Sequence, residues 1–253
     1  MEYSGYESFK MIRIEISLGV CYARLCNPAK KNALNEEMLT ELIALIETLD
    51  DSFGFRALVI SGDGGFFCAG ADLDWMKKGV SQSKMDNIRD AELFYTLYTR
   101  LSEVRIPVIS LVEGGALGGA LGLLACSDIV IAEQSAKMAF PEVRFGLVPA
   151  TIAPFVLKKC NQAFVRRMML TGEKFSVHQA FNAGLVTDVV ADGEGENRLT
   201  EILDLIKMNP IWGVNQTKQL INRITEGDKT GLMSYCTSVI AEARRNNEKL
   251  TKI

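Results

Sequence analysis

The chain has 253 residues, 48% hydrophobic and 23% charged, a composition that argues for a folded globular protein and against a disordered one. Lys and Arg total 28 against 31 Asp and Glu, and the resulting net charge of -3 provides no bulk positive field for nucleic acid or an anionic membrane. The 6 cysteines form no C-x-x-C pair and mostly sit in apolar stretches, so they read as small packed hydrophobes in a reducing interior. With no leader pattern in MEYSGYESFKMIRIEIS and no apolar run as long as a membrane span, a cytoplasmic protein is expected.

Ile12 to Leu18 alternates apolar with polar residues and Val20 to Leu25 repeats the trend after Gly19, which predicts an antiparallel hairpin followed by an Asn27-Pro28 turn. Asn35 is placed to cap a helix on which Met38, Leu42, Ile46 and Leu49 recur at helical spacing as far as Asp50-Asp51. A short apolar strand, Ala57 to Ile60, leads to the glycine-containing CAGADL (Cys68 to Leu73). Leu93, Leu97 and Leu101 then stripe a helix that ends before Pro107. Val108 to Val112 reads as a buried strand running into a second glycine segment, EGGALGGALGL (Glu113 to Leu123). A helix through Leu121 to Leu124 and a strand from Ile129 to Ala132 follow. This alternation predicts an α/β protein of stacked βα units on a mainly parallel sheet. Beyond about Ala163 only helix is expected, with stripes at Leu199, Ile202, Leu203 and Ile206 and at Val214, Leu220, Ile221 and Ile224. The expected division is a core over residues 1–195 and a helical C-terminal region over 196–253.

Each glycine segment is expected where a buried strand gives way to a helix, a turn that leaves backbone N–H groups unpaired and aimed at one point. Two such turns converging would make an oxyanion hole. A dinucleotide cradle is not read, because the glycines do not fall as G-x-G-x-x-G and the next strand lacks a ribose acid. CAGADL resembles the Cys-Ala-Gly-x-Asp-Leu motif of the crotonase (enoyl-CoA hydratase/isomerase) superfamily. Other stretches resemble the family in the same order: NPAKKNAL (Asn27 to Leu34), IPVISLVEGGALGGALGL (Ile106 to Leu123), FPEVRFGLVPA (Phe140 to Ala150) and LTGEKFSVHQAFNAGLV (Leu170 to Val186).

The resemblance implies a crotonase-like ββα spiral with a helical C-terminal trimerisation region, assembled as a homotrimer or homohexamer. It implies an acyl-CoA substrate, with CoA as part of that substrate, no prosthetic group and no metal. Carried over residue by residue, the oxyanion hole falls on the backbone N–H groups of Ala71 and Gly119, and the catalytic carboxylate on Glu142. Both amide positions are expected to open a helix, whose positive end favours an oxygen acquiring charge. CoA is expected along the backbone around Ala33 and along Ala69, Gly70, Ala71, Asp72 and Leu73, with Lys30 or Lys31 free to meet phosphates. Many relatives carry an aromatic and basic tail that contacts CoA; the sequence reaches Lys252-Ile253, before such a tail, and those contacts are not carried over.

Hydrating a 2-enoyl thioester needs a base for water and an acid for the α-carbon, whereas moving a double bond from position 3 to position 2 needs one group to carry a proton between carbons. The best-known family hydratases use two glutamates; this chain matches Glu142, and the other falls on Gly122. The run from Gly146 to Pro154 resembles relatives with hydratase or dehydratase roles and favours a hydratase. The single carboxylate favours a 3,2-enoyl-CoA isomerase, and a catalytically weak acyl-CoA-binding subunit stays open. Phe140, Val143 and Phe145 predict an apolar wall that raises the Glu142 pKa. Arg144 has the geometry to hold a substrate carboxylate or to pair with a neighbouring acid. His178, the only histidine, falls at a predicted helix start and reads as structural, which excludes a His-based triad. Cys68 reads as packed hydrophobe, Lys218 resembles a lysine frequent in the family without a readable role, and loops such as Lys77 to Asn87 are expected to shape the acyl pocket.

Overall fold

A computed structural model describes residues 9–51, 54–225, 227 and 230–245; the first 8 residues of the segment read for a leader and the Lys252-Ile253 end lie outside the described residues. The opening hairpin is β1 (Ile12–Ser17) and β2 (Val20–Leu25), with Ser17 opposite Val20. Its two-residue turn places Leu18 and Gly19 at φ 49° and 79°, the positive values that match the twist of a tight hairpin. The Asn27-Pro28 turn opens a single 3-10 turn, Pro28–Lys30. Helix α1 (Glu36–Asp51) begins as expected, with the Met38 N–H donating to Asn35 Oδ1 at 2.9 Å, and continues through the Asp50-Asp51 pair. The Glu41 carboxylate accepts the N–H groups of Lys10, Met11 and Ile12 at 2.7, 2.9 and 3.1 Å, which ties α1 to the strand it covers.

From here the chain repeats one pattern. β3 (Ala57–Gly62) is followed by α2 (Leu73–Gly79) and α3 (Lys84–Glu103). β4 (Val108–Val112) turns at Gly114, φ 63°, into the short β5 (Gly115–Leu117) and then α4 (Gly119–Cys126). β6 (Ile129–Glu133) passes likewise into β7 (Lys137–Ala139) and a 3-10 turn, Glu142–Phe145. Cys68 forms a single parallel bridge to Ala116 of β5, so the first unit has its own short second strand in embryo. This succession of strand, short strand and helix is the expected ββα spiral.

α5 (Ala153–Lys159) and α6 (Gln162–Thr171) lead to β8 (Lys174–Ser176), α7 (Val177–Asn182) and β9 (Asp188–Val190). These two strands correct the expectation that only helix follows Ala163. Each spans 3 residues, too short for alternation to appear. The larger sheet has the order β1-β2-β3-β4-β6-β9, parallel except for the hairpin, and the smaller has β5-β7-β8. The chain closes with α8 (Gly195–Met208), α9 (Ile211–Thr225) and α10 (Leu232–Arg245).

Strand alternation decides which helix covers which face. Leu58 and Ile60 of β3 and Val108 and Val112 of β4 pack with Leu42 and Ile46 of α1 and Leu97 and Leu101 of α3. Val59, Ile109, Leu111 and Ile131 point the other way and bury Leu199, Ile202 and Leu203 of α8. No helix among the described residues is long and apolar enough to cross a membrane.

Lys218, unexplained from sequence, is a structural cation. Its ammonium, 6% exposed, donates to the Ile106 carbonyl at 2.9 Å and pairs with Asp128 at 2.7 Å, while the same Asp128 oxygen accepts the Val108 N–H at 2.7 Å. Burial pulls the Lys218 pKa down, and Asp128 opposes that pull. α9 is thereby pinned to the start of β4. Because Asp128 stays 34% exposed, we expect Lys218→Ala to cost about 3 kcal/mol, the low end for breaking a buried pair, measured as a lowered urea midpoint.

Candidate active site

The site is built where the two glycine turns touch. Asn32, fully buried at φ 54°, holds the approach: its Oδ1 accepts the Asn27 N–H at 2.9 Å, and its Nδ2 donates to the carbonyls of Asp63 and Phe66 at 2.9 and 2.7 Å. With that loop fixed, Leu34 donates to the Gly70 carbonyl at 2.7 Å and Asp72 to the Leu34 carbonyl at 2.8 Å. Gly70 stands at φ 85°, and a Cβ on it would run into the Leu117 carbonyl and lie 3.2 Å from the Gly119 nitrogen. Leu117 in turn donates to the Cys68 carbonyl at 3.1 Å. Only glycine at position 70 lets the turns come this close.

Gly119 is the first residue of α4, where a helix offers its N–H no internal acceptor. The cap before it, Gly118 at φ 52° and ψ -121°, contributes no side-chain bond. Ala71 sits differently from expectation: it precedes the cap of α2, and Asp72 is that cap, its carboxylate accepting from the Asp74 and Trp75 N–H groups at 2.7 and 3.3 Å. Among the described residues neither the Ala71 nor the Gly119 N–H has a hydrogen-bond acceptor. Helix-dipole support therefore belongs to Gly119 more than to Ala71.

Ala71, Gly119 and Glu142 line one cavity of about 500 Å³, an ordinary size for a small-molecule site. Ala33, Ala69, Asp72 and Leu73 line it too; Gly70 does not, because it is spent on the contact between the turns. Glu142 opens the 3-10 turn after Pro141, and a Cβ on Gly118 would lie 3.1 Å from its Oε1. Its Oε2 is buried without a hydrogen-bond partner among the described residues. Burial raises the Glu142 pKa as expected, its own backbone N–H opposing only in part. The apolar lining comes from Leu117, Pro141, Phe145 and Leu147, whereas Phe140 is in the core at 1% exposure and Val143 lies against Gly172.

Other expected roles are redistributed. Lys30 is not free for phosphates, since its ammonium pairs with Asp72 at 2.7 Å and Asp74 at 2.9 Å; Lys31 lies over the Phe66 ring at 5.1 Å. Burial works against the Asp72 charge, but Lys30 and the two capping amides outweigh it and hold its pKa below the usual carboxylate value. Arg144 is exposed, packs over Gly172 and does not line the cavity. His178 is exposed on α7 and does not line the cavity, and burial pushes the Cys68 thiol up to about 12, as fits a packed hydrophobe. Lys77 to Asn87 is mostly helix rather than loop: α2 runs to Gly79, α3 starts at Lys84, and Asn87 closes the gap by donating to the Gly79 carbonyl at 2.8 Å.

Two residues were missed from sequence. Asn32 lies inside NPAKKNAL, where the available signal was an asparagine, a residue that tolerates positive φ, shortly after the Asn27-Pro28 turn. Tyr98 sits beside Leu97 of the predicted stripe; its ring fills the space facing Gly122 and its hydroxyl donates to the Gly119 carbonyl at 2.8 Å.

Comparison with known proteins agrees with this architecture. The 2,3-dehydroadipyl-CoA hydratase of Escherichia coli strain K12 is 32% identical over 166 residues, 65% of this chain and 63% of that protein. The 1,2-epoxyphenylacetyl-CoA isomerase of the same strain is 29% identical over 215 residues, 84% of this chain and 82% of that protein. A crystal structure of an enoyl-CoA hydratase from Shewanella pealeana ATCC 700345 superposes with a TM-score of 0.89 at 31% identity, covering 96% of this chain and 91% of the other. The profile of the enoyl-CoA hydratase/isomerase family matches residues 15–246, and with the ββα spiral in place the chain belongs to that family.

Proposed function

We propose that the protein is an enoyl-CoA hydratase-like lyase acting on an acyl-CoA thioester. The observation that carries this reading is Glu142: its unbonded Oε2 belongs to a cavity whose other lining carboxylates, Asp72 and Asp74, are both tied to Lys30. In the proposed step, Glu142 takes a proton from water as the water oxygen bonds to C3 of a 2-enoyl thioester. The C2–C3 π pair moves towards the carbonyl, and the resulting enolate oxygen is held by the Ala71 and Gly119 N–H groups. Glu142 then returns the proton to C2. The relative named for hydration and the Gly146 to Pro154 run support adding water.

A second reading, isomerisation of a 3-enoyl to a 2-enoyl thioester with Glu142 as sole shuttle, is favoured by position 122. A Cβ there would lie 2.5 Å from Tyr98 Cζ and 2.8 Å from Ile152 Cγ2, leaving no room for a second carboxylate. The C-terminal helices expose Leu205, Ile221, Ile224, Met233 and Ile240, each at 50% or more, which supports assembly as a trimer or hexamer.

Incubating the purified protein with 2-enoyl and 3-enoyl thioesters of varied length and branching separates the readings: hydration of the former is expected, and its absence across the panel overturns the lyase. Glu142→Gln is expected to lower kcat by about 10²- to 10⁴-fold, as for loss of a general base. Since Glu142 must be ionised to take the proton and burial raises its pKa, kcat/KM should fall on acidification through a value above the usual carboxylate range. A pH profile whose acid limb sits at an unperturbed carboxylate value contradicts this. Sedimentation that finds only monomer contradicts the assembly.

A further inference from the structure

We infer that Tyr98 is a positioning residue, whose buried hydroxyl fixes the Gly119–Ala120 peptide and so, from the far side of the Gly119 Cα, keeps the Gly119 N–H aimed into the cavity. The inference rests on the proposed role of that N–H. The mechanical problem is local. Gly118 and Gly119 are consecutive residues without side chains, Gly118 sits at φ 52° and ψ -121°, and α4 has no side-chain cap at its start. Nothing intrinsic to such a pair fixes the plane of its peptides, because glycine has the widest backbone freedom of any residue.

Restraint comes from outside the helix. Gly118 donates to the Ala139 carbonyl at 2.9 Å, and the Gly118 carbonyl accepts from Leu121 at 2.8 Å. Tyr98 adds a hold one peptide further along, its hydroxyl donating to the Gly119 carbonyl at 2.8 Å. The ring delivering that hydroxyl is itself immobilised. It is 0% exposed, meets Phe155 of α5 edge-on at 5.6 Å and Phe94 at 6.3 Å, and Phe94 stacks on Trp75 of α2 at 5.7 Å. Below it, the absence of a side chain at Gly122 is what admits the ring. Burial keeps the phenol protonated well above its ordinary range, so the hydroxyl remains a donor throughout the working pH range. The residue does not line the cavity, so it acts on substrate indirectly, through the Gly119 carbonyl that it holds.

Tyr98→Phe removes only the hydroxyl. A 2,4-dienoyl-CoA thioester serves as probe, because its absorbance shifts to the red when hydrogen bonds polarise its carbonyl. In the variant the shift on binding is expected to shrink, and kcat to fall about tenfold or more, as misaligned reacting groups do. KM should stay within about twofold. Equal red shift and equal kcat in Tyr98→Phe and wild type overturn the inference. Should the variant fold poorly by circular dichroism, Tyr98→Met, whose flexible apolar side chain fits within the space of the ring and offers no donor, is read in the same way. A wild-type protein that binds the probe with no red shift, and whose turnover survives Glu142→Gln, instead overturns the proposed function itself.

Discussion

The contact between Gly70 and the Leu117-Gly118-Gly119 turn is the constraint from which the site follows. Two strand ends from separate ββα units must bring backbone against backbone, and a single Cβ at position 70 would prevent it. Much of the surrounding structure serves that approach. Asn32 locks the loop that stitches Leu34 to Gly70, Cys68 bridges to Ala116, and Glu41 fastens α1 over the sheet edge. The hydrophobic layers on both sheet faces then hold the strand ends in place, a task that dispersed burial performs without direction and hydrogen bonds complete with direction.

Carboxylates in one cavity are pushed in opposite directions by their surroundings. Asp72 is stabilised as an anion by Lys30 and the α2 amides, while Glu142 is left with one unbonded oxygen in a low-dielectric wall and is driven towards its neutral form. The first spends its charge on structure and the second keeps its capacity to exchange a proton. Sequence could not distinguish these roles by residue type, since each is simply an acid beside a glycine turn. Distance to Lys30 makes the difference.

Long elements with clean periodicity were legible: the hairpin, α1, the stripe of α3 and the buried strands β3, β4 and β6 all stand where alternation or helical spacing placed them. Short elements were not, because β5, β7, β8 and β9 each span 3 residues and take their identity from neighbours rather than from pattern. The two glycine segments and Glu142, singled out from sequence, do meet at one cavity, but the partners of the surrounding residues were not readable. Lys30 looked available until Asp72 and Asp74 came beside it, Arg144 until it folded over Gly172, and Tyr98 was indistinguishable from core. Such facts depend on residues 21 or more positions apart, as Tyr98 and Gly119 are, and no local rule reaches them.

The interlock of Tyr98 with Gly122 also couples what the two positions can hold. An acidic side chain introduced at 122 meets the phenol ring, and shrinking the ring first opens a void under α4 and frees its glycine start. Either replacement made alone costs stability, by overpacking in the first case and by a cavity in the second. The two positions are therefore one packing unit: a larger residue at 122 is accommodated only together with a smaller one at 98.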